Sequence, residues 1–200
     1  MVFADIKALI ETLPEVSVWP ELAEIFEKAG DVPRPDWELP IHACTAVGGD
    51  DASALYGAAA IACLQLSIIL VDDILDDDPR GAHNKMGAGY AANLALAYEA
   101  AAITLAERAH PDPQQSLAIV NCLTQAALGT AAGQQLDIQN FRGEEDYWRV
   151  VTAKSTPFYG ATLQLGSLMG GASSEVSSGM FDLGVIIGEI IQLEDDLADA

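Results

Sequence analysis

Basic residues are scarce in this chain of 200 residues: nine Lys and Arg stand against 30 Asp and Glu, which gives a formal net charge of -21 at pH 7. A protein that binds nucleic acid or an anionic membrane surface needs clustered cations to meet the phosphates. The scarcity therefore argues against both as partners. A surplus of carboxylates instead suits a protein that concentrates cations.

Aromatic residues are also few, at 6% of the chain, although 50% of the residues are hydrophobic. The hydrophobic half is rich in Ala and Leu, which favour helices, and no segment alternates convincingly as a half-buried strand does. The composition thus predicts an all-α protein. Its length suits one domain with a sizeable core, so we expect a single helical domain over residues 1–200.

Cysteine is rare, and the number of cysteines is odd. Only Cys44, Cys63 and Cys122 are present, and each lies in an apolar context. This pattern is typical of small buried hydrophobic residues in a reducing compartment. Residues 1–13 lack the basic and apolar regions of a signal peptide because Asp5 and Glu11 interrupt them. We therefore expect a cytoplasmic protein.

Several common catalytic centres are missing from the sequence. His42, His83 and His110 have neither the spacing nor the cysteine neighbours of a zinc site, and we expect them to be surface or loop residues. Serine and threonine form no nucleophile elbow. Gly48-Gly49 is too short for a phosphate-binding loop.

Hydrophobic periodicity, with proline and glycine as breakers, divides the chain into helices. Asp50 or Asp51 is expected to cap the central helix, and Asp112 with Pro113 to begin a later one. Residues 78–87 are expected to form a loop and residues 141–145 a turn. The predicted helices are 4–13, 21–29, 37–47, 52–77, 88–108, 114–138, about 144–155, 158–169 and 177–199.

One uncharged run, from Ala52 to Val71, is long enough by count to span a bilayer. It lies between two pairs of aspartates and has no Lys or Arg belt. Helices that are apolar all round also form the centre of large soluble bundles. We therefore expect this run to be the central helix of a bundle, without membrane insertion.

That run ends in five carboxylates within seven positions, namely Asp72, Asp73, Asp76, Asp77 and Asp78. A helix returns to the same face every three or four residues, so Asp72 and Asp73 both project with Asp76. Like charges at these spacings destabilise a bare helix, and a hard divalent cation with oxygen ligands would relieve the repulsion. The alternative is a solvated acidic helix end.

The pattern recurs near the end of the sequence, where an apolar helical run again closes in Asp195-Asp196-Leu197-Ala198-Asp199. Two such motifs predict two facing walls of one site. With Gly188 and Gln192 ahead of it, the second motif resembles the Gly-x-x-x-Gln-x-x-Asp-Asp-x-x-Asp pattern of the trans-isoprenyl diphosphate synthases, or polyprenyl synthetases. In that family the paired motifs hold Mg²⁺, which binds and ionises an allylic prenyl diphosphate.

The resemblance extends from about residue 30 to residue 199 and implies a fold and a metal site. The fold would be an isoprenoid-synthase-type antiparallel helical bundle around a deep apolar cavity, with both motifs at the mouth. Asp72 and Asp76 would be Mg²⁺ ligands on the first wall, and Asp195 the principal ligand on the second. Asp196 and Asp199 belong to the same metal site and, like Asp73, would act mainly through water or through the other ligands. The implied catalytic residues are Asp72, Asp73, Asp76, Lys154, Gln192 and Asp195.

Other elements of the resemblance concern the substrate. Lys154-Ser155-Thr156 is similar to the family's Lys-Thr element, and residues 133–137 to its Gly-Gln-x-x-Asp element. A surface lysine and a buried hydrogen-bond network would explain these residues equally. Ser67 and Ile68, one turn before the first motif, are expected to line the cavity and leave room for a tail of geranylgeranyl length or longer. The implied substrate-binding residues are Arg34, Gln65, Ser67, Ile68, Arg80, Gln134, Asp137, Lys154 and Ser155.

The sequence departs from the family where isopentenyl diphosphate, the acceptor, would bind. Asp31 and Val32 stand where the family has Lys and Arg, and Gln65 stands where it has histidine. Arg80 replaces a pair of arginines. We therefore expect an intact allylic site beside weak binding of isopentenyl diphosphate.

The leading interpretation is a Mg²⁺-dependent prenyltransferase that makes or transfers a polyprenyl chain and, by resemblance, forms a homodimer. One alternative is a terpene-synthase-like lyase or cyclase that acts on a single prenyl diphosphate. Another is a non-catalytic subunit of a heteromeric prenyl synthase. Family members continue beyond the second motif, so we expect either that the sequence is truncated at its C-terminus or that a partner covers the last helix. We favour truncation.

Overall fold

The computed structural model describes residues 2–139 and 143–198. Within these ranges every regular element is helical, so the all-α class predicted from the sequence is confirmed. A short 3-10 turn over Pro35–Glu38 precedes the fourth α-helix. The α-helices are α1 Val2–Ile10, α2 Pro14–Ser17, α3 Pro20–Ala29, α4 Leu39–Ala46, α5 Asp51–Leu75, α6 His83–Met86, α7 Ala88–Arg108, α8 Pro113–Asp137, α9 Glu144–Lys154, α10 Thr156–Met169 and α11 Ser174–Ala198.

Helix α5 occupies the centre of the bundle. Each residue from Ala58 to Cys63 is 0% exposed, so the helix is buried on every side along this stretch. Asp50 caps its N-terminus by accepting a 3.0 Å hydrogen bond from the Ser53 N–H. Such all-round burial explains why the sequence of α5 lacks a polar face.

The other long helices enclose α5. Helix α5 packs against α4 and α7, while α10 packs against α4, α8 and α11. Because α7 also packs against α8, the helices α4, α10, α8 and α7 follow one another around α5 and each contacts it. Helix α11 runs along α10 and α9.

Small residues bring two pairs of helices into backbone contact at the site described below. A Cβ on Gly133 would collide with the carbonyl group of Ala153, so α8 touches the end of α9. A Cβ on Gly184 would meet the backbone of Tyr159, and one on Gly188 would lie 3.0 Å from the Thr156 Cα. These glycines let α8 approach α9 and let α11 approach α10.

The predicted loop over 78–87 contains a helical turn, α6, and the expectation for His83 is wrong. The imidazole is only 9% exposed because the loop folds back over the end of α5, where Gly81 lies against the Asp73 side chain. The Nε2 atom of His83 is 3.6 Å from Asp77 Oδ1. The turn predicted over 141–145 falls partly outside the described residues.

The cysteines are free thiols, and two of them, Cys44 and Cys63, are buried as expected. Burial raises the pKa of the Cys63 thiol, and it raises the pKa of Cys122 to about 12. Thiols with such pKa values are protonated at neutral pH and behave as apolar side chains. They therefore contribute packing to α4, α5 and α8.

Within the described residues three helices are long and apolar enough to cross a membrane by length and composition alone: Ala52–Leu75, Pro113–Asp137 and Ser174–Ala198. In the first, 67% of the most apolar window is buried inside the protein, as expected for a central bundle helix. In the third only 17% is buried, and Ile186 and Ile190 are about half exposed. The absence of membrane insertion stays a prediction.

Candidate active site

A cavity of about 860 Å³ lies among α5, α8, α9, α10 and α11. Helix α5 lines it with Gln65, Ile68, Ile69, Asp72 and Asp76, which share one helical face. This wall therefore changes from apolar to acidic toward the end of the helix. The other walls include Thr130 and Asp137 of α8, Tyr147, Val150, Val151 and Lys154 of α9, Phe158 and Tyr159 of α10, and Gln192, Asp195 and Asp196 of α11. Both aspartate motifs thus contribute to one cavity.

Three carboxylates meet on the first wall. One oxygen each of Asp72, Asp76 and Asp137 can lie within 4.8 Å of the others. Mg²⁺ binds oxygen ligands at about 2.0–2.1 Å, so opposite ligands of one ion are about 4.2 Å apart. A small rotation of these side chains would therefore complete a three-carboxylate ligand set. The donor chemistry fits Mg²⁺, and Asp137 joins the two carboxylates expected on this wall.

The electrostatics of the first motif also favour a bound cation. Desolvation, followed by the charge of Asp72, raises the pKa of Asp76. Desolvation, followed by the charges of Asp78 and Asp72, raises the pKa of Asp73. The last turn of α5 contains no basic residue to offset the partial negative charge of the helix end. A divalent cation would relieve the repulsion among these groups.

Asp73 itself does not line the cavity. Its side chain faces the loop after α5, where a Cβ on Gly81 would lie 2.9 Å from the Asp73 Cβ. The structure therefore separates Asp73 from the other two aspartates of its motif. This position agrees with an indirect role more than with contact to a reacting group.

Lys154 lies between the carboxylates of α5 and α8. Its Nζ is 3.2 Å from Asp72 Oδ1 and 2.5 Å from Asp137 Oδ2. Its side chain is only 17% exposed, which rules out the surface-lysine alternative. Burial lowers the pKa of Lys154, but the hydrogen bond to Asp137 and the charges of Asp72 and Asp137 outweigh it and raise the pKa overall. The side chain is therefore a protonated ammonium at neutral pH.

Gln134 supports the same wall from α8. It is 5% exposed, and its Nε2 lies 3.3 Å from the Ile68 carbonyl oxygen and 3.5 Å from Asp72 Oδ1. These long contacts hold α8 against α5, but Gln134 itself does not line the cavity, whereas Asp137 does. In the Gly-Gln-x-x-Asp element, Gln134 thus belongs to a buried hydrogen-bond network and Asp137 to the site.

The second wall is ordered by hydrogen bonds among α9, α11 and the start of α10. The Tyr147 hydroxyl donates to Asp196 Oδ2 at 2.7 Å, and Gln192 Nε2 donates to Asp196 Oδ1 at 3.0 Å. Ser155 Oγ in turn donates to Gln192 Oε1 at 2.5 Å. The hydrogen bond to Asp196 raises the pKa of Tyr147. Asp195 lines the cavity beside this network.

Asp199 lies outside the described residues. Tyr147 was not among the residues predicted from the sequence, since a single aromatic residue on a short helix carries no motif. Its position could have been found only by knowing that α9 faces α11.

The two residues that were expected to bind isopentenyl diphosphate, Gln65 and Arg34, line different cavities. Gln65 lines the cavity, where its Oε1 accepts from Trp37 Nε1 and its Nε2 donates to Asp36 Oδ2, both at 2.6 Å. Arg34 lines a separate cavity of about 400 Å³, and its Nε donates to the Ala29 carbonyl oxygen at 3.1 Å. Arg34 and Gln65 therefore line different cavities, although the charge of Arg34 acts on Tyr159, which lines the main one.

Arg80 and Ile68 lie on the main cavity as expected, but Ser67 does not. Arg80 donates to both carboxylate oxygens of Asp78, at 3.1 and 2.8 Å. Ser67 is buried, at 6% exposure, on another side of α5. It lies five positions before Asp72, which turns it about 140° away around the helix axis. The expectation that Ser67 shares the carboxylate face is therefore corrected, and Ile69 takes that place.

The solved structures that resemble this chain have the same bundle fold. The geranylgeranyl pyrophosphate synthetase of Geoglobus acetivorans matches with a TM-score of 0.84 and 24% identity over 98% of this chain and 69% of that one. An FPP/GFPP synthase from Zymomonas mobilis matches with a TM-score of 0.85 and 26% identity, over 99% of this chain and 78% of that one.

Curated relatives agree at the level of sequence. The geranylgeranyl diphosphate synthase of Methanosarcina mazei is 29% identical over 168 residues, which cover 80% of this chain and 52% of the relative. The octaprenyl diphosphate synthase of Escherichia coli is 26% identical over 171 residues, with 80% and 51% covered. The chain thus spans about half the length of the curated relatives that it matches. The polyprenyl synthetase family matches residues 23–200, and the chain belongs to that family.

Proposed function

We propose that this chain carries the allylic site of a Mg²⁺-dependent prenyltransferase. The observation that carries the proposal is the convergence of two aspartate motifs and Lys154 on one cavity that is apolar along part of α5. The curated relatives are named as synthases of prenyl diphosphates, which supports the same reaction class.

The residues of the site have different roles, which follow from their chemistry. Mg²⁺ at the carboxylates would neutralise the diphosphate leaving group as the bond between carbon and oxygen breaks. Asp72 and Asp76 would hold the metal from the first wall, and Asp195 from the second. The Lys154 ammonium, already beside Asp72, can donate a charge-assisted hydrogen bond to a phosphate oxygen.

The apolar part of the cavity would hold the prenyl tail. Ile68 and Ile69 lie just before Asp72 on the same helical face, so the tail would lie against them. An apolar wall excludes water, which would otherwise capture the allylic carbocation. The relatives include a geranylgeranyl and an octaprenyl synthase, and we propose a tail of geranylgeranyl length or longer.

The surroundings of Gln65 favour a second candidate function, in which the allylic carbocation does not react with isopentenyl diphosphate. Its amide is hydrogen-bonded to Trp37 and Asp36, so this part of the wall presents a neutral group beside a carboxylate. Phosphate recognition normally relies on Arg or Lys. Weak binding of isopentenyl diphosphate is therefore part of the proposal, and a lyase or cyclase acting on one prenyl diphosphate is the second candidate function.

Incubation with Mg²⁺ and geranylgeranyl or farnesyl diphosphate, with and without isopentenyl diphosphate, separates the candidates. A longer prenyl diphosphate formed only with isopentenyl diphosphate supports chain elongation. Diphosphate release with a hydrocarbon or alcohol product, unchanged by isopentenyl diphosphate, supports the lyase. No release under either condition contradicts both and favours the non-catalytic subunit.

We further propose that the protein forms a homodimer and is located in the cytoplasm. Helices α7 and α8 expose Leu96, Leu117 and Leu128 to 64%, 60% and 66%, and such side chains suit a helical interface with a second copy. Sedimentation of the purified chain would test this, with a dimer as the expected species and a monomer as the contrary result.

A further inference from the structure

Tyr147 makes a contact that the proposed reaction does not itself require. It is 37% exposed and lies on α9, yet its hydroxyl reaches across to α11 and donates to Asp196 Oδ2 at 2.7 Å. The second carboxylate oxygen of Asp196 accepts from Gln192. With a donor on each oxygen, the plane of the Asp196 carboxylate is fixed.

Helix α9 connects the two acidic walls through one face. Tyr147 contacts the second wall, and Lys154, seven positions later, contacts Asp72 and Asp137 on the first. Residues i and i+7 share a helical face and lie about 10 Å apart along the axis. The helix therefore acts as a strut whose two ends are bound to opposite walls of the cavity.

The second wall needs such a restraint because burial holds it weakly. Ile187 and Ile191 are the last residues of α11 that pack against the core, and Leu197 in the last turn is 76% exposed. Few apolar contacts therefore fix the last turn of α11. Hydrogen bonds from α9 and from Ser155 are the contacts that orient this end of the helix.

We propose that Tyr147 is a positioning residue that sets the second acidic wall, through Asp196, at the spacing that metal binding requires. This inference rests on the proposed function of the site. Mg²⁺ demands nearly octahedral geometry at about 2.0–2.1 Å, so a wall that is free to tilt binds the ion less well. Groups that orient metal ligands typically contribute about 10–100-fold to metal affinity.

Metal binding by the Tyr147→Phe variant tests the inference without relying on turnover. Mn²⁺ serves as the probe, because the free ion is counted directly by electron paramagnetic resonance. We expect Tyr147→Phe to bind Mn²⁺ about tenfold more weakly than the parent, with the same thermal midpoint in the absence of metal. In turnover assays the variant should need more Mg²⁺ for half-maximal rate and return to within about twofold of the parent rate at saturation.

Tyr90→Phe is the matched control. Tyr90 is also 37% exposed, and its hydroxyl accepts a 2.8 Å hydrogen bond from Trp19 Nε1, but it does not line the cavity. Tyr90→Phe also removes one hydrogen-bonding tyrosine hydroxyl, but at a place away from the cavity. Its Mn²⁺ affinity should therefore equal that of the parent. An equal loss in both variants would attribute the effect to general loosening and overturn the inference.

A double-mutant cycle with Asp196→Ala, which removes the acceptor of the Tyr147 hydroxyl, tests the route of the effect. If Tyr147 acts through Asp196, adding Tyr147→Phe to Asp196→Ala should weaken Mn²⁺ binding by no more than about twofold further. Fully additive losses would contradict action through Asp196. Equal Mn²⁺ affinity of the parent and Tyr147→Phe would overturn the positioning role, whereas failure of the parent to bind Mn²⁺ at all would instead overturn the proposed function.

Discussion

At the scale of single residues, the site is a balance between carboxylates and one ammonium that is largely shielded from solvent. Lys154 bonds to Asp72 and Asp137, whereas Asp76 lies beside them with a raised pKa. The sequence predicted the identity of these residues because the two motifs and the Lys-Ser-Thr element are short local patterns. It could not predict that Lys154 bridges Asp72 and Asp137, because that contact joins three helices.

Replacement of Asp72 by Asn tests the metal role of the first wall. The amide keeps the size of the side chain but removes its charge, so the metal loses an anionic ligand. We expect the rate of diphosphate release to fall about a hundredfold or more, as expected for the loss of about 3 kcal/mol of transition-state stabilisation. Asp77→Asn is the control, since that side chain is 97% exposed and does not line the cavity, and its rate should match the parent. An Asp72→Asn rate within a few-fold of the parent would remove Asp72 from the mechanism.

The raised pKa of Asp76 predicts how stability depends on pH without metal. Because its pKa is higher in the folded protein than in the unfolded chain, protonation of Asp76 favours folding. The thermal midpoint in EDTA should therefore rise as the pH falls from 7 toward the ordinary Asp pKa of about 3.9. Asp76→Asn should raise the midpoint at pH 7 and flatten this dependence. A parent midpoint that falls steadily over the same range would contradict the prediction.

At the scale of helices, periodicity and helix-breaking residues located most elements. Helix α7 begins at Ala88 and ends at Arg108, as predicted, and the Asp112 side chain caps α8 at Pro113. The two errors have different causes. His83 is largely covered by a loop that folds back over α5, which only contacts between segments decide, whereas Ser67 was assigned to the carboxylate face although it lies five helical positions before Asp72, a matter of periodicity alone.

Gly133 provides a test of the contact between α8 and α9. In Gly133→Ala the new methyl group would collide with the carbonyl group of Ala153 and push α9 away from Asp137. We expect a loss of about 1–3 kcal/mol of unfolding free energy in chemical denaturation, as is usual for overpacking. Gly89→Ala is the control, since a Cβ there meets nothing within 4 Å and alanine favours the helix. Equal stability of the two variants would show that the helices are not in the close contact described.

The apolar face of α5 predicts which substitution changes the length of the product. Ile68 lines the cavity about one turn before Asp72, so Ile68→Phe should block part of the tail and shorten the product or the accepted substrate. Ser67→Ala, on a buried side that faces away, should leave the product distribution unchanged. Chromatography of the dephosphorylated products measures both. If Ser67→Ala changed the product length and Ile68→Phe did not, the assignment of Ser67 to the carboxylate face would be correct after all.

At the scale of the whole molecule, the apolar core and part of the acidic surplus meet at one site. The long, mostly uncharged helices α5 and α8 both line the cavity, and carboxylates are placed where those helices end. The class of fold was predictable because it needs only composition and periodicity. The arrangement of the second wall was not, because it depends on hydrogen bonds between α9 and α11.

The release of inorganic diphosphate from geranylgeranyl or farnesyl diphosphate tests the central claim most directly. The purified chain is incubated with each substrate in Mg²⁺ and, in parallel, in EDTA, with Asp195→Asn as the variant of the second wall. Each incubation is made with and without isopentenyl diphosphate, and we predict release in at least one of these two conditions that requires Mg²⁺ and falls about a hundredfold or more in the variant. Release that is unchanged by EDTA or by Asp195→Asn, or no release by the parent in either condition, would contradict the assignment of this cavity as an allylic diphosphate site.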